Sequence, residues 1–247
     1  MLSKTHTKYI QSLQHKKFRD EMVLFLAEGP KVVMDLLNSR KFICKELFAL
    51  ENWLLEHSKL LTSLRETEIK EVAGFELQKI SSLSTAHSVV AVFEKRVPVY
   101  EINRSSKITL ALDTIQDPGN LGTIIRIADW FGIENIVCSV GCADMYNAKV
   151  VQSTMGSLGR VNVIYTDLVP WLKHEKKVKI YSASLEGKDV RTMGKLEEGI
   201  IIIGNEANGV SDEAMKLVDD KITIPRIGEA ESLNAAVATG IILSHVK

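Results

Sequence analysis

The sequence is short of several things, and each shortage excludes something. Its three cysteines, Cys44, Cys138 and Cys142, are odd in number and form no CxxC pair, which excludes a disulfide framework and a sequence-local zinc site. They read as buried or neutral thiols. There is no GxxxxGK[ST] loop, no GxGxxG after a strand, no HExxH and no GxSxG, so the usual phosphate-loop, dinucleotide, zinc-peptidase and nucleophile-elbow chemistries find no support. The glycines at 156 and 159 (GSLG) fit none of these patterns. Net charge is absent too, with 31 basic against 31 acidic residues, so total charge names no partner, although a balanced total can hide a basic face. The longest apolar stretches, such as GIIIIG at 199–204, fall far below the roughly 18 residues of a membrane span. The opening MLSKTHTKYIQ has no apolar signal core, so the expectation is a cytoplasmic protein with no membrane contact.

What is present is globular. The 247 residues, 45% hydrophobic and 25% charged, suffice for one large domain or two small ones and exclude a disordered or fibrous chain. In the first part, apolar strand-like runs at 23–27, 46–50, 68–72 and 88–94 alternate with helical patterns at 30–38, 53–57 and 75–81. That is a small α/β unit, with Pro30 suited to the first turn of its helix. Residues 95–107 (KRVPVYEINRSSK) are polar and aperiodic, and read as a linker. The expected division is 1–95, a linker at 96–106, and 107–247.

The second part has a more regular rhythm. Strands are predicted at 108–115, 135–140, 161–165, 178–184, 199–204 and 221–224. Buried β-branched runs alternating with helices predict a parallel sheet with helices on both faces. Ligands of such sheets lie beyond the carboxyl ends of the strands.

Three strand-end loops carry unusual polar residues. The first, DTIQDPGNLG at 113–122, enters a helix predicted over 121–131, with Asn120 placed to cap it and Arg126 among apolar neighbours. A plain turn and a solvated arginine are the competing reading. In the second, IIIGNEANGVS at 201–211, Gly204 would let a ligand approach the backbone and Glu206 emerges at the strand end. A solvated loop carboxylate competes with a functional one, and Ser211 with Asp212 and Glu213 is an ordinary helix start. In the third, ITIPRIGEAESLNAA at 222–236, Ser232 could cap a helix running from 233 to the C-terminus. Asn234 is unexpected one turn in, and Ala235, Ala236, Ala238 and Gly240 make that helix thin.

Taken together, Asn120-Leu-Gly with Arg126, Gly204-Asn-Glu-x-x-Gly-x-Ser, and Ile224-Pro followed by Glu231-Ser-Leu-Asn234 resemble the three signatures of the SpoU (TrmH-type) RNA ribose methyltransferases of the SPOUT superfamily. Their order and spacing match over most of 107–247, and Tyr146-Asn147-x-Lys149-Val150-Val151 with Met155-Gly156-Ser157 resembles the family as well. Where the family often has an arginine after the valine pair, this chain has Gln152.

The resemblance implies an α/β parallel-sheet domain with a C-terminal deep trefoil knot, a homodimer, and S-adenosylmethionine as cofactor. Main-chain or side-chain atoms of Ala183, Gly204, Asn205, Glu206, Ile224 and Leu233 would hold that cofactor. The implied reaction is methyl transfer to a ribose 2′-hydroxyl of RNA, with no metal. Asn120, Arg126, Glu206, Ser232 and Asn234 would be the catalytic set. Arg126 would position phosphate and hydroxyl, since a guanidinium with a pKa above about 12 is a poor base.

The first part resembles, more loosely, the small RNA-binding domain carried by many of these enzymes, similar to a ribosomal-protein fold. Lys4, Lys8, Lys16, Lys17 and Arg19 precede the first acid, Asp20, and acquire a role on RNA phosphates. Ribosomal RNA is favoured over transfer RNA. A non-catalytic RNA-binding protein that kept the fold, and an enzyme using a nucleotide cofactor, are the competing classes.

Overall fold

A computed structural model describes residues 1–97, 107–175 and 178–247. Most of the expected linker, residues 98–106, lies outside the described residues. The chain runs α1 (Lys4–Ser12), α2 (Lys16–Met22), β1 (Leu24–Glu28), α3 (Pro30–Ser39), β2 (Cys44–Ala49), α4 (Glu51–Glu56), α5 (Ser58–Leu61), β3 (Glu68–Glu71), α6 (Gly74–Ile80) and β4 (Val89–Glu94). It continues β5 (Ile108–Leu112), α7 (Pro118–Trp130), β6 (Asn135–Ser139), α8 (Ala148–Ser153), β7 (Asn162–Thr166), α9 (Leu168–His174), β8 (Ile180–Asp189), β9 (Gly199–Ile203), α10 (Asp212–Met215), β10 (Asp220–Thr223) and α11 (Ala235–Val246). Two compact units result: Met1–Val97 with Tyr146–Gly159, and Pro98–Met145 with Arg160–Lys247.

In the first unit four strands form a mixed sheet in the order β1-β4-β2-β3. Only the β2–β3 pair is parallel. Alternation along β1 explains how both faces are used. Leu26 joins Ile10 and Leu13 of the opening helix, Leu77 and Ile80 of α6, and Phe48, Val90 and Val92 in one cluster. Phe25 points the other way, 4.7 Å from the Tyr146 ring and 5.7 Å from Phe93. On that side α3 buries Val32, Val33, Leu36 and Leu37, each contributing about 1.5–3 kcal/mol. The glycines of GSLG find their reason here. Gly156 has φ +90°, and a Cβ on it would lie 2.4 Å from Cβ of Asp35, while one on Gly159 would lie 2.8 Å from Cβ of Ser39. They let the segment after α8 lie directly against α3, and no cofactor is needed to explain them.

The second unit is built on six strands in the order β10-β8-β9-β5-β6-β7, every pair parallel. All the predicted strands are found, with ends moved by a few residues. One face carries α9 and α10, with Leu168, Leu172 and Ala214 packed on Ala111, Val137, Ile200 and Ile202. On the other, α7 and α11 pack against each other, and a Cβ on Gly240 would rest 3.7 Å from Cδ1 of Ile127. Helices therefore cover both faces, as the hydrophobic pattern requires. Between β8 and β10 the register jumps from Lys221 opposite Ser182 to Ile222 opposite Lys188, so Ala183 stands where β8 leaves its ladder. No helix among the described residues is long and apolar enough to cross a membrane.

Candidate active site at the strand ends of the second unit

The site begins at the carboxyl end of β5. Asp113 is 6% exposed, and such a carboxylate needs partners. It accepts hydrogen bonds from Ser211 N at 2.9 Å and Ser211 Oγ at 2.6 Å. Ser211 occupies the N-cap position of α10, yet its hydroxyl does not cap that helix. It ties the loop after β9 to the end of β5. Thr114 follows in the left-handed region, φ 59°, and its carbonyl accepts from Asn205 Nδ2 at 2.9 Å. Asn205 Oδ1 accepts in turn from Ala207 N and Asn208 N, at 2.9 and 3.2 Å. The Asn205 side chain is thus engaged in shaping two loops, and its main chain is engaged as well, its N–H donating to Gly209 O at 2.9 Å and its carbonyl accepting from Gly209 N at 2.8 Å.

Gly204 has a different reason from the one its sequence context suggests. A Cβ there would lie 2.2 Å from the Gly209 carbonyl carbon and 2.3 Å from Val210 N. The backbone that comes close is the loop's own return, where Asn205 and Gly209 form an isolated bridge.

Helix α7 then sets the key side chain. Its N-cap is Asp117, which accepts from Asn120 N at 2.8 Å, with Pro118 in the first turn. The predicted capping role of Asn120 is therefore corrected: an N-cap must precede the helix, and Asn120 lies inside it. Its side chain is released for longer-range bonds. Asn120 Nδ2 donates to Glu206 Oε1 in a short hydrogen bond, and Asn120 Oδ1 accepts from Asn234 Nδ2 at 2.8 Å. Asn234 also caps α11, its Oδ1 accepting from Ala236 N at 2.9 Å and Val237 N at 3.3 Å. Ser232 was the alternative cap, and the helix starts too late for it to serve.

Three of the five expected catalytic residues, Asn120, Glu206 and Asn234, are thus joined in one hydrogen-bonded chain across three loops. Arg126 and Ser232 are not part of it. Arg126 lies six residues further along α7, about 9 Å of helix rise. It is exposed and makes no hydrogen bond or ion pair among the described residues. Ser232 sits in a stretch, 226–234, in which every residue is exposed.

The expected cofactor residues line the same edge. Gly204, Asn205 and Ile224 are half-buried just beyond strand ends, Ala183 is half-buried within β8 where its pairing with β10 is interrupted, and Leu233 is 46% exposed. Ile227, at 98% exposure, adds a second uncovered apolar side chain to the last loop. Uncovered apolar groups beside the Glu206 carboxylate fit a cofactor that joins a flat heteroaromatic ring to a cationic sulfur centre. Asp113 and Ser211, which hold the loops, stand in the same motifs, but they are partners across 98 residues of sequence, whereas Asp117 caps its own helix three residues away. No cluster of metal-ligating side chains occurs among the described residues.

Residues 107–244 match the model of the SpoU rRNA methylase family, more than half of the chain. The chain belongs to that family. Residues 4–91 match a second model, the MRM3-like substrate binding domain. A relative from Bacillus subtilis, 23S rRNA (guanosine(2553)-2′-O)-methyltransferase RlmP, is 31% identical over 96% of this chain and 94% of its own length. Among solved structures, a Sinorhizobium meliloti rRNA methyltransferase with bound AdoMet is 32% identical, covering 99% of this chain and 95% of that one, with a TM-score of 0.89. A TrmH-family protein from Porphyromonas gingivalis is 33% identical over 99% of this chain and 98% of its own, with a TM-score of 0.86.

In this SpoU family member the basic opening residues are not equivalent. Lys4 and Lys8 stand four apart on α1, both exposed, and Lys17 is exposed on α2. Lys16 is paired with Asp20 at 2.7 Å. Arg19 is corrected: it is 2% exposed, and its Nη1 donates to Leu13 O at 3.1 Å and Gln14 O at 2.7 Å. It holds the α1–α2 turn and offers no charge to a surface ligand. The thiols are free, with Cys44 and Cys138 buried. Burial pushes Cys44 up to about 12. Hydrogen bonding from Cys138 lowers Cys142, whose Sγ also accepts from Ile115 N at 3.3 Å.

Proposed function

We propose that the chain transfers the methyl group of S-adenosylmethionine to a ribose 2′-hydroxyl of ribosomal RNA. The hydrogen-bonded chain Glu206–Asn120–Asn234 carries this reading, because it draws all three family signatures to one place. Family membership and the relative named for 2′-O-methylation of 23S rRNA support it.

The cofactor supplies an electrophilic methyl group on a sulfonium. An alcohol is a weak nucleophile, so the protein's contribution is placement and removal of a proton. The strand-end main chain at Ala183, Gly204 and Ile224, with Leu233, would hold the cofactor. Asn120 fixes the Glu206 carboxylate on one side and Asn234 on the other, so that the three loops keep one arrangement. Arg126, with its guanidinium unengaged by other described residues, holds an RNA phosphate and orients the hydroxyl. Lys4, Lys8 and Lys17 add phosphate contacts from the first unit.

The same reading makes the enzyme a homodimer in the cytoplasm, with the last part of the chain tied in a trefoil knot. The free thiols suit a reducing compartment. The strand order suits the knot, since β10 lies beyond β8 while the loop after it returns Asn234 to Asn120. Light scattering at micromolar concentration tests the dimer, and a monomeric mass would overturn it.

Incubation with labelled S-adenosylmethionine and unmodified ribosomal or transfer RNA, followed by nucleoside digestion and chromatography, tests the reaction. Label in a 2′-O-methylnucleoside from ribosomal RNA is the expected result. Cofactor binding without label in either RNA would favour a non-catalytic RNA-binding role.

A further inference from the structure

The first unit contains a cleft of about 420 Å³ that the methyl-transfer site does not use. Gln14 of the α1–α2 turn forms one wall, Ser82 and Leu83 of the α6–β4 loop another, and Lys149 and Gln152 of α8 with its N-cap Asn147 the third. Each wall is pinned from beneath. The Arg19 guanidinium holds the Gln14 carbonyl at 2.7 Å. The Glu28 carboxylate, 4% exposed, accepts from Ser81 Oγ and Ser82 Oγ at 2.5 Å each and from Ser82 N at 2.8 Å. On the third side Asn147 Oδ1 accepts from Lys149 N at 2.9 Å, and Val150 and Val151 anchor the helix in the core.

The groups left facing the cleft are chemically selective. The side-chain amides of Gln14 and Gln152 make no hydrogen bond among the described residues. An amide offers a donor and an acceptor side by side, the pattern found on the edges of nucleobases. No carboxylate lines the cleft, one lysine does, and Leu83 supplies an apolar surface. Lys16 and Lys17, both exposed, follow Gln14 within three residues. The volume lies near the lower end of the roughly 300–1,000 Å³ usual for small-molecule sites, which suits a single unstacked nucleotide.

We propose that this cleft is a subsite for one unpaired nucleotide of the RNA substrate, its base edge read by Gln14 and Gln152. The proposal rests on the reading of the chain as an RNA methyltransferase. It adds one defined place within the first unit where a base is read, with α8 supplying one wall. Sequence-specific RNA recognition works in this way, by hydrogen bonds to the edges of splayed bases in loops and bulges.

The test combines kinetics with crosslinking. Gln152→Ala, Gln152→Glu and Gln14→Ala are compared with wild type for KM towards ribosomal RNA, kcat, and S-adenosylmethionine affinity by calorimetry. Ribosomal RNA carrying 4-thiouridine is photocrosslinked to the wild-type protein and the labelled peptide sequenced. The expected results are a rise of about tenfold in RNA KM for each alanine variant and a larger rise for Gln152→Glu. Cofactor affinity and kcat stay within twofold, and a crosslink falls in a peptide containing residues 147–153 or 82–83. Unchanged KM in all three variants with crosslinks elsewhere would overturn the subsite while wild-type turnover leaves the methyltransferase reading standing. A wild-type protein that neither methylates nor crosslinks RNA would overturn both.

Discussion

Asn234 Nδ2 donates to Asn120 Oδ1 at 2.8 Å across 114 residues of sequence, while Asn234 Oδ1 caps α11. One side chain thus starts the last helix and fastens its loop to α7. The two roles separate by substitution. Asn234→Asp keeps a good cap and loses the donor, so its stability to urea should stay within about 1 kcal/mol of wild type. Its kcat should fall about tenfold or more, because Asn120 Oδ1 loses its donor and faces a carboxylate instead. Asn234→Ala loses all three bonds and should cost about 2 kcal/mol. Full activity in Asn234→Asp would show that the bond to Asn120 is not used in catalysis.

Arg126→Ala should reduce methyl transfer by at least 100-fold while calorimetry shows S-adenosylmethionine binding unchanged. Arg126 is exposed and contributes to no hydrogen bond among the described residues, so folding should be unaffected. Arg126→Lys should recover only part of the activity, because an ammonium cannot reproduce a bidentate phosphate contact. Loss of cofactor affinity in Arg126→Ala would contradict an RNA-facing role.

Gly204→Ala should be severe for a reason unrelated to any ligand. The added Cβ would sit 2.2 Å from the backbone of Gly209, and backbone cannot rotate away as a side chain can. A loss of about 3 kcal/mol in urea denaturation is expected, together with impaired cofactor binding. A fully stable variant would mean that the loop reopens at little cost.

The opening lysines and Arg19 should behave oppositely. Arg19→Ala leaves the buried Leu13 carbonyl and the part-buried Gln14 carbonyl without these bonds and should cost about 2 kcal/mol of stability. Lys8→Ala should leave the urea midpoint in place and lower the slope of log affinity for RNA against log salt by about 1. An Arg19→Ala protein of wild-type stability would contradict the structural role.

Glu76 gives a pH dependence of definite sign. Hydrogen bonds from Leu2 N at 2.6 Å and Ala73 N at 3.1 Å hold its carboxyl below the ordinary range. A lowered folded-state value means that the stabilisation is complete above the ordinary carboxylate range. It is lost as pH falls through that range to the folded-state value. Glu76→Gln should therefore narrow the difference in urea stability between pH 7 and pH 3, measured against wild type.

Much of this protein can be read without its structure, and the reason is periodicity. All ten strands were foreseen within a few residues of their ends, because β-branched runs such as 199–203 and amphipathic spacings such as 30–38 are local signals. Helices α1 and α2 carry no such local signal. Their sequence is rich in lysine, and they are anchored mainly by Ile10, Leu13 and the buried Arg19. The caps of both site helices are not legible locally, since Asn120 and Ser232 are as good a cap by composition as Asp117 and Asn234.

The sequence by itself determined the strands, the parallel second sheet, and the motifs that place the chain in its family. Each depends on residues close together along the chain. Only the tertiary structure decided that Asn120 bonds to Glu206 and Asn234, that Gly204 is required by Gly209 and Val210, and that Tyr146–Gly159 belongs to the first unit. These depend on which strand lies beside which and on where each loop returns. In a crossover fold such neighbours are set by burial of whole faces, a sum over distant residues that no short stretch of sequence contains.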